Sequence, residues 1–179
     1  MNFKQIRCIS DIDFELTWQT YSSSFPVYEK RLLNSHKEAL ADSRFFANSV
    51  YDKGKYIGFI FYWILDSYIF IEHFAIKENY RNMNYGSKII GKLISENARF
   101  TLLLEIDPPE DEISRRRLSF YSRLGFKNND QIIHRIPSFQ KNLGSYNLNI
   151  LSYGRTLSLD EYLLFYDSLM KSVFKYSEK

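Results

Sequence analysis

The chain of 179 residues is long enough to form one domain with a substantial hydrophobic core. Hydrophobic residues make up 45% of it and charged residues 25%, a composition typical of globular proteins. A formal net charge of +3 is too small to indicate a nucleic-acid partner by itself. Because Cys8 is the only cysteine, an internal disulfide and a cysteine-based metal site are excluded, and a reducing, cytoplasmic location is expected.

The first forty residues predict one strand followed by helices. Residues 3–8 form a short strand pattern, and the acidic residues that follow do not resemble a secretory signal. The segment Ser10-Asp11-Ile12-Asp13 offers a capping residue and early acids, which predicts a helix from there to Ser24. Phe25-Pro26 ends it, because proline cannot continue a helix. Further helix is expected over residues 28–33 and 35–42.

Three strands are expected next, arranged as a meander over residues 44–51, 56–65 and 67–77. The turn Asp52-Lys53-Gly54-Lys55 has the composition of a hairpin loop. Residues 56–71 contain a single charged residue, Asp66, but this run is shorter than the roughly 20 residues that a membrane-spanning helix needs. We therefore expect a hairpin here and no membrane partner.

Residues 67–99 are the most informative stretch. Tyr68–Lys77 is rich in aromatic and β-branched residues, as in a buried strand, and 78–85 is polar, as in a tight turn. From Gly86 onward the apolar residues recur at helical spacing: Ile89, Ile90, Leu93, Ile94 and Ala98. The predicted unit is a strand, a short loop and a helix whose N-terminus offers unpaired N–H groups to a phosphate.

Several interpretations of this loop compete. A dinucleotide fingerprint, G-x-G-x-x-G, is absent, and a Walker A loop would place Leu93 where a magnesium-binding hydroxyl belongs. An ordinary strand–turn–helix without a ligand stays open. The segment Arg81-Asn82-Met83-Asn84-Tyr85-Gly86-Ser87 resembles the R-x-x-G-x-G/A pyrophosphate loop of the GNAT superfamily, the acyl-CoA-dependent N-acetyltransferases. Asn82 and Asn84 stand where the family usually has glycine, and asparagine tolerates the positive φ that such a loop needs.

The second half of the chain continues this order of elements. Residues 101–106 form an apolar run ending in a carboxylate, which predicts a central strand. A helix is expected from Asp111 to Leu124, capped by Gly125. Two more strands are expected within residues 126–158, followed by an amphipathic helix over 159–176.

Residues 120–126, FYSRLGF, resemble a second GNAT motif, F/L-Y-x-x-x-G-F, in the correct order after the loop. The two motifs imply a mixed α/β fold with a central, largely antiparallel twisted sheet flanked by helices. They predict a single domain over residues 1–179, with the resemblance strongest over 1–140 and a C-terminal strand and helix in 141–179. The resemblance also implies acetyl-CoA as cosubstrate, bound by the strand Phe74-Ala75-Ile76 and by the loop Arg81–Ser87.

The chemistry of amine acetylation suggests three catalytic candidates. An acceptor amine with a pKa near 10 must lose a proton, and Glu105 matches a proton-acceptor position of some GNAT enzymes. Glu72 is a second candidate, predicted to share a strand face with Phe70, Phe74 and Ile76; a salt bridge with Arg81 or with one of Arg115–Arg117 is the alternative. Tyr121 aligns with the family's tyrosine near the thioester sulfur, which implies a proton donor, or is a core tyrosine.

The remaining polar residues give weaker indications. His36, His73 and His134 show no metal-ligand spacing, so no metal is expected and all three are interpreted as structural. Arg115–Arg117 could contact an adenosine phosphate or a nucleic acid, but such a run is more often a solvated helix face. Ser114 stands where family members often carry asparagine.

The expected function is transfer of an acetyl group from acetyl-CoA directly to an amine of a small molecule or peptide. Cys8 is far from the motifs, so no acyl-cysteine intermediate is expected. The alternative is a non-catalytic acyl-CoA sensor or partner-binding module on the same fold. The segment SFPVYEKR, residues 24–31, resembles a region that shapes the acceptor pocket in GNAT proteins, or is a plain connector. A homodimer through exposed strand edges is expected by analogy only.

Overall fold

The structure, a computed structural model, describes residues 1–178. The strands are β1 (Asn2–Ile6), β2 (Phe45–Asp52), β3 (Lys55–Leu65), β4 (Tyr68–Ile76), β5 (Thr101–Ile106), β6 (Phe126–Asn128), β7 (His134–Pro137) and β8 (Ser145–Tyr153). The helices are α1 (Phe14–Ser24), α2 (Leu33–Leu40), α3 (Tyr85–Glu96), α4 (Glu112–Arg123) and α5 (Leu159–Ser172). Short 3-10 turns cover Val27–Glu29, Glu78–Tyr80 and Phe174–Tyr176.

The strands of this described part form one eight-stranded sheet in the order β1-β2-β3-β4-β5-β8-β6, with β7 paired to β8. The β4–β5 pair is parallel, and the other pairs are antiparallel. Helices pack against both faces and bury two apolar clusters, one containing Trp63 and Phe165, the other Ile89 and Tyr121. The expected mixed α/β architecture with a largely antiparallel sheet is confirmed.

A bulge in β4 and the separation of β4 from β5 create the functional region. Phe61 lies opposite His73 and Tyr62 opposite Ile71, so Glu72 is an extra residue in β4. Pairing between β4 and β5 runs only from Tyr68 opposite Thr101 to Ile71 opposite Leu104. Beyond that point the two strands are no longer hydrogen-bonded to each other.

Because of the bulge, the Glu72 side chain faces a different side of the sheet from the one predicted. Phe70 belongs to the Trp63 cluster, whereas Phe74 and Ile76 pack against the Ile89 cluster on the opposite side of the sheet. Because an extra residue interrupts the two-residue alternation, Glu72 and His73 both contact groups on the Trp63 side. The expectation that Glu72 shares a face with Phe74 and Ile76 is therefore wrong.

Three element assignments also differ from the structure. No α-helix covers residues 28–32: Tyr28 and Glu29 belong to a 3-10 turn, Lys30 and Leu32 are extended, and α2 begins only at Leu33. Residues 126–158 hold three strands instead of two, because the irregular alternation hides the short strands β6 and β7. The last helix ends at Ser172 and is followed by a 3-10 turn.

Candidate active site

A cavity of about 390 Å³ occupies the gap between the separated ends of β4 and β5. Residues of β4 and β5 form two of its walls, and α4, β8 and the segment after α1 close the others. Seven of the predicted site residues line it: Glu72, Phe74, Ala75, Ile76, Arg81, Glu105 and Tyr121. The structure therefore brings together all three predicted catalytic residues and the strand Phe74–Ile76 that is predicted to bind the cosubstrate.

The predicted phosphate loop has the backbone geometry that its sequence indicated. Asn82 and Asn84 have φ values of 62° and 60°, the left-handed region that glycine normally occupies. The helix α3 begins after Asn84 with no side-chain cap, as α1 and α2 do, whereas α4 and α5 begin with capping boxes. Its first N–H groups are thus available to an anion, and the residues present fit the diphosphate of a coenzyme A thioester.

The remaining loop residues, Met83, Tyr85, Gly86 and Ser87, differ in their exposure and contacts. Met83 is exposed, and the Tyr85 hydroxyl donates to Asp52 Oδ2 at 3.2 Å. At Gly86 an added Cβ would lie 3.1 Å from the Phe120 ring, a close contact that favours glycine where α3 packs against α4. Ser87 is half-buried in the first turn of α3.

The arginine run on α4 divides between three roles. Arg115 donates to the Glu110 carbonyl at 2.7 Å, Arg116 pairs with Glu112, and Arg117 pairs with Asp107 at the cavity. Arg115 and Arg116 also border a second, shallower depression next to Asn82. Ser114 is buried, and its hydroxyl and N–H complete the capping box of α4 with Asp111.

Tyr121 combines burial with access to the cavity. Its ring packs against Phe120 and Phe126, and the residue is 8% exposed. Burial raises the pKa of its phenol to about 12, while the positive charge of Arg117 opposes the rise. A neutral phenol at this point has the chemistry to donate a proton to a group bound in the cavity.

Glu105 is held by a buried histidine that sequence reasoning interpreted as structural. His134 Nε2 lies 2.5 Å from Glu105 Oε1, and His134 Nδ1 lies 3.0 Å from the Tyr162 hydroxyl. β8 explains the proximity, because it pairs with β5 through Ile150 opposite Glu105 and with β7 through Leu148 opposite His134. The 29-residue separation in sequence gave no signal of this contact.

Glu72 is bound by an arginine that was not anticipated. Its Oε1 pairs with Arg31 Nη1, and its Oε2 accepts from Trp63 Nε1 at 2.8 Å. The side chains of Arg31 and Glu72 are 0% and 2% exposed. The predicted partners, Arg81 and Arg115–Arg117, are not those of Glu72.

Glu29 is a carboxylate of the cavity that the sequence did not single out. It lies in the 3-10 turn after α1, and its backbone carbonyl contacts His73 Nε2 at 2.9 Å. Burial raises the pKa of its carboxyl to about 7; Asp107 adds to the rise, Arg117 opposes it and Glu105 adds further. A carboxyl that titrates near neutrality inside a cavity is typical of functional sites.

Two more lining residues, Tyr146 and His73, have perturbed pKa values. Burial raises the pKa of Tyr146. Further increases come, in decreasing order of effect, from Glu105, Glu29, Tyr28 and Glu72. His73 is 4% exposed, and burial lowers its pKa to about 4. Its ring is therefore neutral at physiological pH.

The described part of the chain lacks two kinds of feature. Residues 1–178 contain no group of three or more histidine, cysteine, aspartate or glutamate side chains arranged to hold a metal ion. No helix among them has both the length and the apolar character needed to cross a membrane.

Comparisons with known proteins agree with this geometry. The sequence model of the acetyltransferase (GNAT) family matches residues 14–126, so the chain belongs to that family. A curated relative, named "Putative acetyltransferase YjbC" of Bacillus subtilis (strain 168), is 31% identical over 129 residues, or 70% of this chain. The matched region spans 64% of that relative's length.

Solved structures share the whole fold. A GNAT-family protein from Bacteroides thetaiotaomicron superposes with a TM-score of 0.89 at 26% identity, covering 97% of this chain and 98% of that one. The ribosomal-protein-S18-alanine N-acetyltransferase of Escherichia coli superposes with a TM-score of 0.60 over 88% of this chain and 95% of that one. At 13% identity, the second comparison supports the fold alone.

Proposed function

We propose that this protein transfers an acetyl group from acetyl-CoA directly to an amine of a small-molecule or peptide acceptor. The observation that carries the proposal is the convergence of Tyr121 and Glu105 on the cavity between the separated strands β4 and β5. In this proposal Glu105 is the proton acceptor and Tyr121 the proton donor. Both lie beside the part of β4 whose backbone edge is not paired with β5.

The cosubstrate would lie along β4 and the loop. Residues 74–76 pair with β3 on one edge, and their other edge faces the gap left by β5. An N–H group of that edge would stabilise negative charge on a carbonyl oxygen. Arg81 and the uncapped start of α3, together with Asn82–Ser87, would hold the phosphates.

The proton transfers are assigned to two side chains. Acetyl-CoA supplies the acetyl group as a thioester, whose carbonyl carbon bonds to the amine nitrogen as its bond to sulfur breaks. Glu105 takes one proton from the acceptor ammonium and leaves a neutral amine. Tyr121 gives its phenolic proton to the sulfur and regains one from the nitrogen. Glu72, already paired with Arg31, holds the bulge and takes no proton in this scheme.

The acceptor is expected to arrive as a cation. Glu105 and Glu29 come from two different elements and both add to the effect of burial on the pKa of Tyr146, so their negative charge is concentrated at that end of the cavity, whereas the charge of Glu72 is balanced by Arg31. Glu29 has no cation within ion-pair distance among residues 1–178. An ammonium group would supply the missing positive charge.

A thermal-shift experiment tests the cosubstrate site. At one hundred times its dissociation constant a ligand adds roughly 2.7 kcal/mol of stability, and for a chain of this size each kcal/mol raises the Tm by about 2–4 °C. We expect acetyl-CoA to raise the Tm of the wild-type protein by several degrees and to have little effect on Arg81→Glu. Arg99→Glu is the matched control, because Arg99 lies beyond the C-terminal end of α3, stacks on Phe100 and does not line the cavity.

A thiol-release assay with a panel of amines then tests the transfer. Acceptor-dependent release of free coenzyme A with a product heavier by one acetyl group is the expected result. Binding of acetyl-CoA without acetylation of any amine would favour the acyl-CoA sensor over the enzyme. No change in Tm at millimolar acetyl-CoA would exclude both functions.

A further inference from the structure

Glu105 is the cavity end of a line of three hydrogen-bonded side chains. His134 follows at 2.5 Å and the Tyr162 hydroxyl at 3.0 Å from the second ring nitrogen. The side chain of His134 is 0% exposed and that of Glu105 is 12% exposed. The line therefore runs from the cavity into the core between β7 and α5.

For an ionised Glu105 and a neutral His134 ring, the chemistry of the three groups sets the direction of the bonds. An ionised carboxylate only accepts hydrogen bonds, so His134 Nε2 must carry a proton and donate it to Glu105 Oε1. In the neutral ring Nδ1 is then an acceptor, which the Tyr162 hydroxyl satisfies by donating. The phenol thus stabilises the one neutral tautomer that can bind the carboxylate.

We propose that His134 is the positioning residue of the catalytic carboxylate, with Tyr162 holding His134 in the required tautomer. The inference rests on the acetyl transfer proposed above. The His134 N–H occupies Oε1, so Oε2 is the oxygen that receives the proton of the acceptor ammonium. The N–H bond of the ammonium breaks and an O–H bond forms on Oε2, while His134 keeps its own proton.

The contacts explain why this pair acts as a unit. Hydrogen bonds to an ionised group are stronger than neutral ones, and the buried ring has few alternative orientations. The Tyr162 and Tyr166 rings pack against His134 at 5.7 and 6.0 Å between centroids and confine it from the α5 side. Without His134, Glu105 would lose the contact that fixes its rotamer.

Two substitutions at position 134 separate positioning from packing. His134→Phe keeps a ring but removes the donor, and we expect kcat to fall about tenfold or more with little change in the Kd for acetyl-CoA. His134→Gln can place an amide N–H near Oε1, so it should recover most of that loss. His36→Phe is the control, because His36 is a buried histidine packed among the Trp18, Tyr21 and Phe61 rings instead of Glu105.

A second test asks whether the effects of substitutions at His134 and Glu105 on kcat are additive. Glu105→Gln combined with His134→Phe should be no slower than Glu105→Gln alone, since His134 acts through that carboxylate. Additive losses, wild-type kcat in His134→Phe, or equal loss in His134→Gln and His134→Phe would each overturn the proposal.

A spectroscopic readout is independent of turnover. In ¹⁵N-labelled protein, the chain's three histidines can be assigned by single substitutions. We expect His134 to carry its proton on Nε2 and to change its shifts in Glu105→Gln and Tyr162→Phe. A proton on Nδ1 instead would refute the inference, whereas an inactive wild type with the expected tautomer would refute only the acetyl transfer.

Discussion

Arg31 and Glu72 form an ion pair that joins the segment after α1 to the bulge of β4, with both side chains almost fully buried. Arg31 also donates to the Val173 carbonyl at 3.1 Å and lies over the Phe139 ring. Because the bulge marks where β4 leaves β5, this pair stabilises the geometry that opens the cavity.

Removing one partner of this ion pair should lower the free energy of unfolding. Arg31→Met leaves the Glu72 carboxylate buried without its cation, which typically costs about 3–5 kcal/mol of unfolding free energy. Urea denaturation measures the loss, and Arg99→Met, at an exposed site, should stay within about 0.5 kcal/mol of wild type. A loss below about 1 kcal/mol in Arg31→Met would contradict the stabilising role.

Tyr121→Phe isolates the phenolic hydroxyl. The ring contacts with Phe120 and Phe126 are retained, so acetyl-CoA should bind nearly as in the wild type. Loss of a general acid should lower kcat about 100-fold or more. Single-turnover kinetics and calorimetric titration test the two expectations, with the exposed Tyr153→Phe as control. Undiminished chemistry in Tyr121→Phe would remove it as the donor.

Glu29 predicts a specific pH dependence of stability. Its pKa is raised to about 7 in the folded protein, so folding favours the protonated form and stability is lost as pH rises from the ordinary value of 4.5 through 7. Glu29→Gln removes this loss and should be more stable than wild type at pH 8.5, by on the order of 2 kcal/mol, and similar at pH 4.5. Urea unfolding at both values measures the difference.

The same substitution has a functional expectation. If Glu29 attracts the acceptor cation, Glu29→Gln should raise the KM for the amine and leave the KM for acetyl-CoA unchanged. Steady-state kinetics with each substrate varied in turn distinguishes the two. Equal increases in both constants would argue against a role on the acceptor side.

Two glycines of α3 should respond to alanine in opposite directions. At Gly91 an added Cβ meets nothing within 4 Å, so Gly91→Ala should stabilise the helix by roughly 0.5–1 kcal/mol. At Gly86 the Cβ would press against Phe120 at 3.1 Å, and Gly86→Ala should destabilise. Thermal unfolding without ligand measures both, and a stabilised Gly86→Ala would mean that the ring moves aside freely.

Local patterns were sufficient to predict the parts of the site that are continuous in sequence. The loop from Arg81 to Ser87 joins a strand and a helix that the apolar spacing predicts, and two asparagines supply the positive φ that the resemblance requires. Tyr121 and Glu105 could be placed because each follows from its own motif or strand.

The long-range contacts could not be predicted. Nothing local reveals that Glu72 is an extra residue, because the bulge depends on how β3 pairs with β4. Arg31 is 41 residues from Glu72 and His134 is 29 from Glu105, and a single sequence carries no information on such pairs. Glu29 was not identified for the same reason: its raised pKa arises first from burial in the folded cavity, and Asp107 and Glu105, which are distant in sequence, add to the rise.

The acceptor wall joins two distant stretches of chain. The turn at Val27–Glu29 is tied to residues 138–140, where Ser138 Oγ and Gln140 Nε2 donate to the carbonyls of Tyr28 and Val27 at 2.7 and 3.0 Å. The family match ends at residue 126, before Phe139 and Tyr146, which line the cavity. If the proposed acetyl transfer is correct, substitutions in this wall would alter the choice of amine without changing the residues proposed to bind the thioester, and relatives that share only the matched region would differ in their acceptors.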